Sequence, residues 1–467
     1  MSLLIVGLDN TIVNVALPSI GRELHTTVSG LQWTVDAYTL VLASLLMLAG
    51  SMGDRLGRKR VFSLGLALFT LGSLLCSVAP SLGALIACRV LQAVGGSMLN
   101  PVAMSIIRNV FTDARERAQA IGMWGATVGI SLALGPVVGG ALVGSVGWRA
   151  IFWINIPIGL AALALTLRFV PESRAPRPRR LDPLGQALVV ALFGSLTYAI
   201  IEGPKAGWLS SQSLALFSLA AIALAALVLY ERRRREPLLD PRFFASVPFS
   251  SASVIAVCSF AALGGFLFLN TLYLQEVRGL SALQAGLCTL PIAAMTLVFA
   301  PISGRIVGHR GPRAGLLAGG AGIALGAGLL TGLGPHTAIA SLVPAYLIFG
   351  IGFGMVNPPI TNTAVLGMPP AQAGVAAAVA STSRQLGQTL GVAVAGAIAA
   401  GGLVSVGPHF VGASHAAWWL ITACGIVVLA LGFLSTGDRA NASARAVARE
   451  LGGGEEADAR ERELVSA

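Results

Sequence analysis

Apolar runs free of charge recur along the whole chain. A helix needs about 20 such residues to cross the hydrocarbon core of a bilayer. Runs of about that length fall at residues 2–20, 31–52, 61–79, 82–106, 119–143, 151–170, 184–201, 213–230, 250–274, 285–307, 314–333, 338–356, 374–402 and 416–436. The strict period-2 alternation of a membrane barrel is absent. The pattern predicts an all-α membrane protein with fourteen transmembrane helices. An even count puts both ends of the chain on one side.

Composition agrees with the pattern. Of 467 residues, 55% are hydrophobic and only 11% charged, and mean hydropathy is +0.80. Soluble domains carry about 25% charged residues, so this chain cannot cover a water-facing surface. The net charge of +11 would suggest nucleic acid in a soluble protein. Here its distribution matters more. Of the 31 Lys and Arg, 25 fall in the loops and tail on the side of the chain ends, and Arg22, Arg149, Lys205 and Arg278 fall on the other. Arg89 and Arg384 lie inside spans. Positive charge marks the cytoplasmic side, so both termini are expected there. The first run lacks a basic n-region and a good cleavage site, so it is not a secretory signal. It also lacks a basic inner flank, which points to a true start upstream of Met1.

The sequence repeats itself. Gly95, Met98, Asn100 and Pro101 in the fourth run recur as Gly352, Met355, Asn357 and Pro358 in the twelfth, at an offset of 257. Gly50 and Gly57 in GSMGDRLGRKR recur as Gly304 and Gly311 in GRIVGHRGPR, at an offset of 254. Two parallel six-helix copies explain both, with helices 7 and 8 inserted between them. The expected division is an N-terminal bundle (1–170), basic segments with the two inserted helices (171–248), a C-terminal bundle (249–436) and a disordered cytoplasmic tail (437–467). Such a plan is that of major facilitator transporters, in which substrate sits between the halves near mid-membrane.

Four motifs sharpen this. GSMGDRLGRKR (50–60) lies between the second and third helices. Gly50 and Gly57 permit close approach and a tight turn. Asp54 can meet a helix N-terminus or an arginine, and Arg55, Arg58 and Lys59 can pair with acids across a cytoplasmic gate. In the fifth helix, LGPVVGGAL (134–142) follows Gly129. Pro136 removes a backbone donor, and Gly135, Gly139 and Gly140 make a small-residue packing face. The other two are LDNTIVNVALP (8–18) and the set LQWTVDAYTL (31–40), WRAIFWINIPIG (148–159) and SRQLGQTLG (383–391). Together they resemble the major facilitator superfamily, and within it the fourteen-helix drug:proton antiporter family. The resemblance runs from Leu8 to about the fourteenth helix. It implies proton-coupled export of drugs, antibiotics or similar lipophilic molecules across the bacterial cytoplasmic membrane, by a protein expected to be monomeric.

Only two acidic residues, Asp9 and Asp36, fall well inside spans. An apolar cavity favours the protonated carboxyl, and a nearby arginine favours the carboxylate. A carboxyl between these effects can load and release a proton as access alternates. At about 1.5 Å rise per residue, depth alone pairs Arg89 with Asp36. The family resemblance instead implies Asp9 and Arg89 as the coupling pair. Asn14, Gln92, Asn357, Arg384 and Gln388 are candidate cavity residues. Intramembrane charge balances at two aspartates and two arginines, so a strict preference for cationic substrates does not follow.

Other classes fit poorly. The two lysines are followed by Arg60 and Ala206, so no Walker A motif exists. There is no G-x-S-x-G, which argues against a hydrolase. The five cysteines lie in apolar runs without metal-ligand spacing, so no metal or cofactor is expected. The alternatives to drug efflux are a dedicated exporter of one native metabolite or self-made antibiotic, and a non-transporting sensor on the same fold.

Overall fold

A computed structural model describes residues 1–111, 113–175, 181–234, 237–400 and 408–453. Among the described residues, helical segments lie at the fourteen expected positions. They are α1 (Ser2–Glu23), α2 (Val28–Leu56), α3 (Arg58–Ser77), α4 (Leu82–Val110), α5 (Ala114–Ser145), α6 (Ala150–Phe169) and α7 (Pro183–Ala206). There follow α8 (Ser211–Glu231), α9 (Val247–Val277), α10 (Ala282–Arg310), α11 (Arg313–Gly328), α12 (Ile339–Val365), α13 (Pro370–Ala400) and α14 (Pro408–Leu434). Among the described residues, eleven helices are long and apolar enough to cross a membrane. The spans that fall short of that test are α5, α11 and α13.

Prolines set the irregularities. The α4 span breaks at Met98, three residues before Pro101, and α6 breaks at Ile154, three before Pro157. The α10 span breaks at Thr289, two before Pro291. Proline has no N–H and its ring crowds the carbonyl four residues back. In α12 the helix survives this. Pro359 leaves the Met355 carbonyl without its helical donor, and Ser303 Oγ on α10 donates to it at 2.6 Å. That substitute bond helps explain why α12 runs to Val365, past the expected end at 356, through Pro358 and Pro359.

The spans pack as two groups. In the first, α1 lies on α5, α4 on α2 and α3, and α6 on α3. In the second, α9 lies on α13 and α14, and α12 on α10 and α11. Two long seams join them, α2 with α13 and α5 with α10. The α7–α8 hairpin stands at the edge of the first seam, with α7 touching both α2 and α13. Its α8 is the most peripheral span, with Leu219, Ile222, Leu224 and Leu229 exposed. Asp9, Asp36, Arg89 and Gln92 are buried inside the bundle while leucines of the peripheral α8 are exposed, the arrangement a lipid solvent requires.

The tail departs from expectation. Asp438–Ala448 forms a helix, α15, rather than disordered chain. Ala440, Ala444 and Val447 are buried, and Val247 N–H donates to Ser443 Oγ at 3.0 Å. Small apolar residues spaced three and four apart supply one packing face, a pattern the flanking Arg and Glu residues obscure. Residues 454–467 of the expected disordered tail lie outside the described residues.

Candidate functional site

Asp9 is fully buried in α1, and Arg89 in α4 is 1% exposed. The Arg89 guanidinium ion-pairs directly with Asp9 Oδ2 through Nη1. Oδ1 of Asp9 accepts from Gln92 Nε2 at 2.8 Å and from Asn155 Nδ2 at 3.0 Å. Arg89 also donates to Gln92 Oε1 at 2.7 Å and, through Nε, to the Thr34 carbonyl at 3.2 Å. Its guanidinium carbon lies 4.2 Å from the centre of the Tyr38 ring. Gln92 closes the network by donating to Ser73 Oγ at 2.8 Å. One carboxylate therefore ties α1, α3, α4 and α6 together, and Arg89 adds α2. Burial of charge is tolerated where every lone pair and donor is matched.

The pairing that depth alone suggested is not the one found. Ser131 in α5 explains the difference. Its Oγ lies 3.3 Å from the Leu4 carbonyl, and its carbonyl lies 3.2 Å from Thr11 Oγ1. Ser131 lies roughly 25 Å along α5 from Ala114, by the helical rise. So α1 begins well inside the bundle, and Asp9 stands nearer mid-membrane than its place in the sequence suggests. Asp36 is buried elsewhere on α2. Its Oδ1 lies 3.5 Å from Thr39 Oγ1, and its Oδ2 has no hydrogen-bond partner among the described residues. Thr39 in turn accepts from Thr389 Oγ1 on α13 at 2.8 Å, so Asp36 sits beside the seam between the halves.

Other cavity candidates scatter around this centre. Asn14 is buried and donates to its own helix at Asn10 O, 2.9 Å away. Arg384 donates to Thr361 Oγ1 at 2.5 Å and to the Asn357 carbonyl at 3.4 Å, so Arg384 and Asn357 do meet. Gln388 is buried at the α9–α13 contact, its carbonyl against Gly264. Among all these, only Gln92 joins the Asp9 network.

The glycines of α5 work on two neighbours. A methyl group at Gly135 or Gly139 would strike Thr11 or Ile12 of α1. At Gly140 it would lie 2.6 Å from the Ala282 carbonyl oxygen of α10, and at Gly129 it would lie 2.8 Å from Leu297. Pro136 meets Gly286 of α10 in the same way. The motif thus lets α5 approach both its own half and the other half backbone to backbone.

The 50–60 segment, the end of α2 and the start of α3 joined at Gly57, is held within its own half. Gly50 faces Pro101. Arg58 ion-pairs with Asp54 at 2.9 Å, and its N–H donates to the Ser173 carbonyl at 2.9 Å. Lys59 N–H donates to Glu172 at 3.1 Å, and its Nζ donates to the Leu167 carbonyl at 2.9 Å. Arg55 is at the end of α2. Gly57 takes φ +114, and a methyl there would sit 2.7 Å from the Glu172 carboxylate.

At the opposite end the halves touch through polar groups. Arg22 pairs with Glu276 at 2.8 Å, and Gln275 donates to the Val15 carbonyl at 2.9 Å. Gln32 donates to the Ala393 carbonyl at 2.7 Å.

Sequence reasoning missed Asn155, Ser73 and Glu172. Asn155 and Ser73 are polar residues within apolar runs, the one signal that could have found them. Glu172 lies in PESR at the end of α6, with no such mark.

The sequence profile of the Major Facilitator Superfamily matches residues 1–392. The chain is 38% identical over 410 residues to the multidrug resistance protein Stp of Mycobacterium tuberculosis, covering 88% of this chain and 76% of that one. It is 36% identical over 415 residues to the tetracenomycin C resistance and export protein of Streptomyces glaucescens, covering 87% and 76%. Its fold matches a D-xylose–proton symporter with a TM-score of 0.66 at 16% identity, over 93% of this chain and 95% of the other. The chain is a multi-pass membrane transporter of the Major Facilitator Superfamily.

Proposed function

We propose that this protein exports lipophilic drugs or antibiotics across a bacterial cytoplasmic membrane in exchange for protons. The carrying observation is the buried Asp9–Arg89 pair with its two amide donors. A carboxylate in that setting has one route to a proton: Arg89 must let go. Protonation of Asp9 removes the reason for Arg89 to reach α1, and the guanidinium falls back on the Thr34 carbonyl and the Tyr38 ring. Because the network ties α1, α3, α4 and α6, this changes how those helices pack. Asp36, beside the Thr39–Thr389 bridge, is the second protonation site in this reading and reports to α13.

The two six-helix halves are residues 1–170 and 249–436, and the α7–α8 hairpin is an insertion. Basic loops face the cytoplasm with both termini, and the protein works as a monomer with fourteen spans. The halves are drawn together at the other end by Arg22–Glu276, Gln275 and Gln32, contacts that in this reading close the outer end while the cytoplasmic end opens. The α2–α3 junction at 54–60 is the gate segment, and it engages the second half when that opening closes. A membrane potential of about 100 mV supplies roughly 2.3 kcal/mol per proton, and one pH unit adds roughly 1.36 kcal/mol. Each proton therefore sustains an export gradient of a few hundredfold.

The name of the Streptomyces relative favours a second reading, export of one self-made antibiotic. Inverted vesicles decide between them. They are energised with a proton gradient and offered a lipophilic cationic dye, then a panel of neutral antibiotics. Uptake of several chemically unrelated compounds, each with luminal alkalinisation and each abolished by an ionophore, is expected. Uptake of one compound class alone establishes the second reading. Uptake that survives the ionophore refutes proton coupling.

A further inference from the structure

We propose that Asp182 and Glu231 share a single proton, and that this proton latches the inserted α7–α8 hairpin shut at its basic-loop end. Asp182 precedes α7 and Glu231 ends α8; they are 4% and 2% exposed. The two oxygens of Asp182 have opposite surroundings. Oδ1 accepts from Gly185 N–H at 2.9 Å, from Tyr230 OH at 3.1 Å and from Arg234 Nη1 at 2.5 Å. Oδ2 has no partner. Glu231 divides the same way: Oε2 accepts from Leu238 N–H at 2.8 Å, and Oε1 has no partner among the described residues. Both orphan oxygens converge on one point, the space above Gly185. They lie 2.5 Å and 2.7 Å from where a methyl group on that glycine would sit.

One proton resolves all of this. As an acid, Glu231 donates from Oε1 to Oδ2 of Asp182, and both orphans gain a partner. Charge then balances too, with Asp182 negative, Arg234 positive and Glu231 neutral. Without the proton, two carboxylates face each other in a buried site with one cation, an arrangement that raises proton affinity in carboxyl pairs. Among the described residues, Arg232 and Arg233, which follow Glu231, are exposed. Arg234 also donates to Tyr230 OH at 2.7 Å. At this level α2 presents Ser44 and Leu48, both uncharged. The cation of α13, Arg384, is bound to Thr361 and Asn357, and Arg235 and Glu236 lie outside the described residues.

The position gives the proton something to hold. One turn after Asp182, Gln186 donates to the Ser44 carbonyl of α2 at 2.5 Å. At the far end Trp33 of α2 donates to Glu202 of α7 at 3.0 Å. Release of the shared proton to the basic side leaves both carboxylates ionised, and their repulsion parts the start of α7 from the end of α8.

Infrared titration of the purified protein in nanodiscs tests the shared proton, with Glu231→Gln subtracted from the parent. Exposed carboxyls ionise near pH 4. A protonated-carboxyl band is expected to remain in the difference at about pH 6 and to fade above it, tenfold per pH unit once past its midpoint. Spin labels at the exposed Leu184 and Leu229, in a cysteine-free background, test the latch. Their separation is expected to grow with the same titration in the parent and to stay constant in Glu231→Gln. Absence of the band at every pH overturns the shared proton. A band with no change in label separation overturns the latch. Should Glu231→Gln fail to fold, Asp182→Asn keeps the helix cap and must alter the band and abolish the separation change. An unaltered titration in that variant overturns the proposal.

Discussion

Replacing Gly140 by alanine places one methyl group where α5 meets α10. The new carbon would lie 2.6 Å from both the Ala282 carbonyl oxygen and Leu283 Cα. These are backbone atoms, so no rotamer change can make room. Ordinary contact begins near 3.4 Å, so the helices must part by roughly 0.8 Å, and overpacking of this kind costs about 1–3 kcal/mol. Gly286 and Pro136 clamp the same seam one turn away, so the strain cannot be relieved locally. The cost falls on the state in which this end is closed. An energy of that size shifts a two-state balance by about 5- to 150-fold. Spin labels on Val146 and His336, exposed sites on the two halves at this end, read the balance directly. A growing population at long distance is expected in Gly140→Ala, with slower transport. Gly144→Ala is the control, because nothing lies within 4 Å of that position. Identical distance distributions in Gly140→Ala and the parent would show that the close approach does not hold the seam.

Other substitutions probe the remaining parts. Arg89→Lys keeps the charge but not the fork that reaches Asp9, Gln92 and Thr34 together; transport is expected to fall at least about tenfold, with a stability loss of about 1–3 kcal/mol, read by thermal unfolding in detergent. Asn155→Leu removes one donor to a buried carboxylate and should cost about 1.5–3 kcal/mol, whereas Asn14→Leu, which bonds only its own helix, should cost less in the same assay. Gly57→Ala meets both an unfavourable φ and the Glu172 carboxylate. Adding Glu172→Ala should restore only part of the lost thermal stability, since the backbone strain stays; full restoration would show that φ is irrelevant there.

Hydropathy made the spans legible, because a lipid-facing helix has to advertise itself over about 20 residues. Their ends were less so. The α12 span runs past Pro358 and Pro359 because Ser303, on another helix, replaces one lost backbone donor, and no local pattern announces that. The tail helix was hidden because alanine faces among arginines read as solvated chain. At the site, residue types pointed to Asp9, Asp36 and Arg89, since charge inside a span is costly and rare. Which aspartate meets Arg89 was not legible from depth. That depends on where α1 starts relative to α5, and the contact that fixes it, Ser131 with Leu4 and Thr11, joins residues far apart in the chain. Asn155 escaped for a related reason: an amide in an apolar run is cheap enough to be unremarkable until a carboxylate is found beside it.

Asp9 is the group proposed to exchange a proton for substrate. Asp9→Asn keeps the shape and can still bond Gln92 and Asn155, but it carries no charge and takes up no proton. In proteoliposomes, substrate counterflow without any gradient should persist in this variant, while uphill transport driven by an imposed pH gradient should vanish. Gradient-driven accumulation at the parent's level in Asp9→Asn would place proton coupling elsewhere and contradict this role for Asp9.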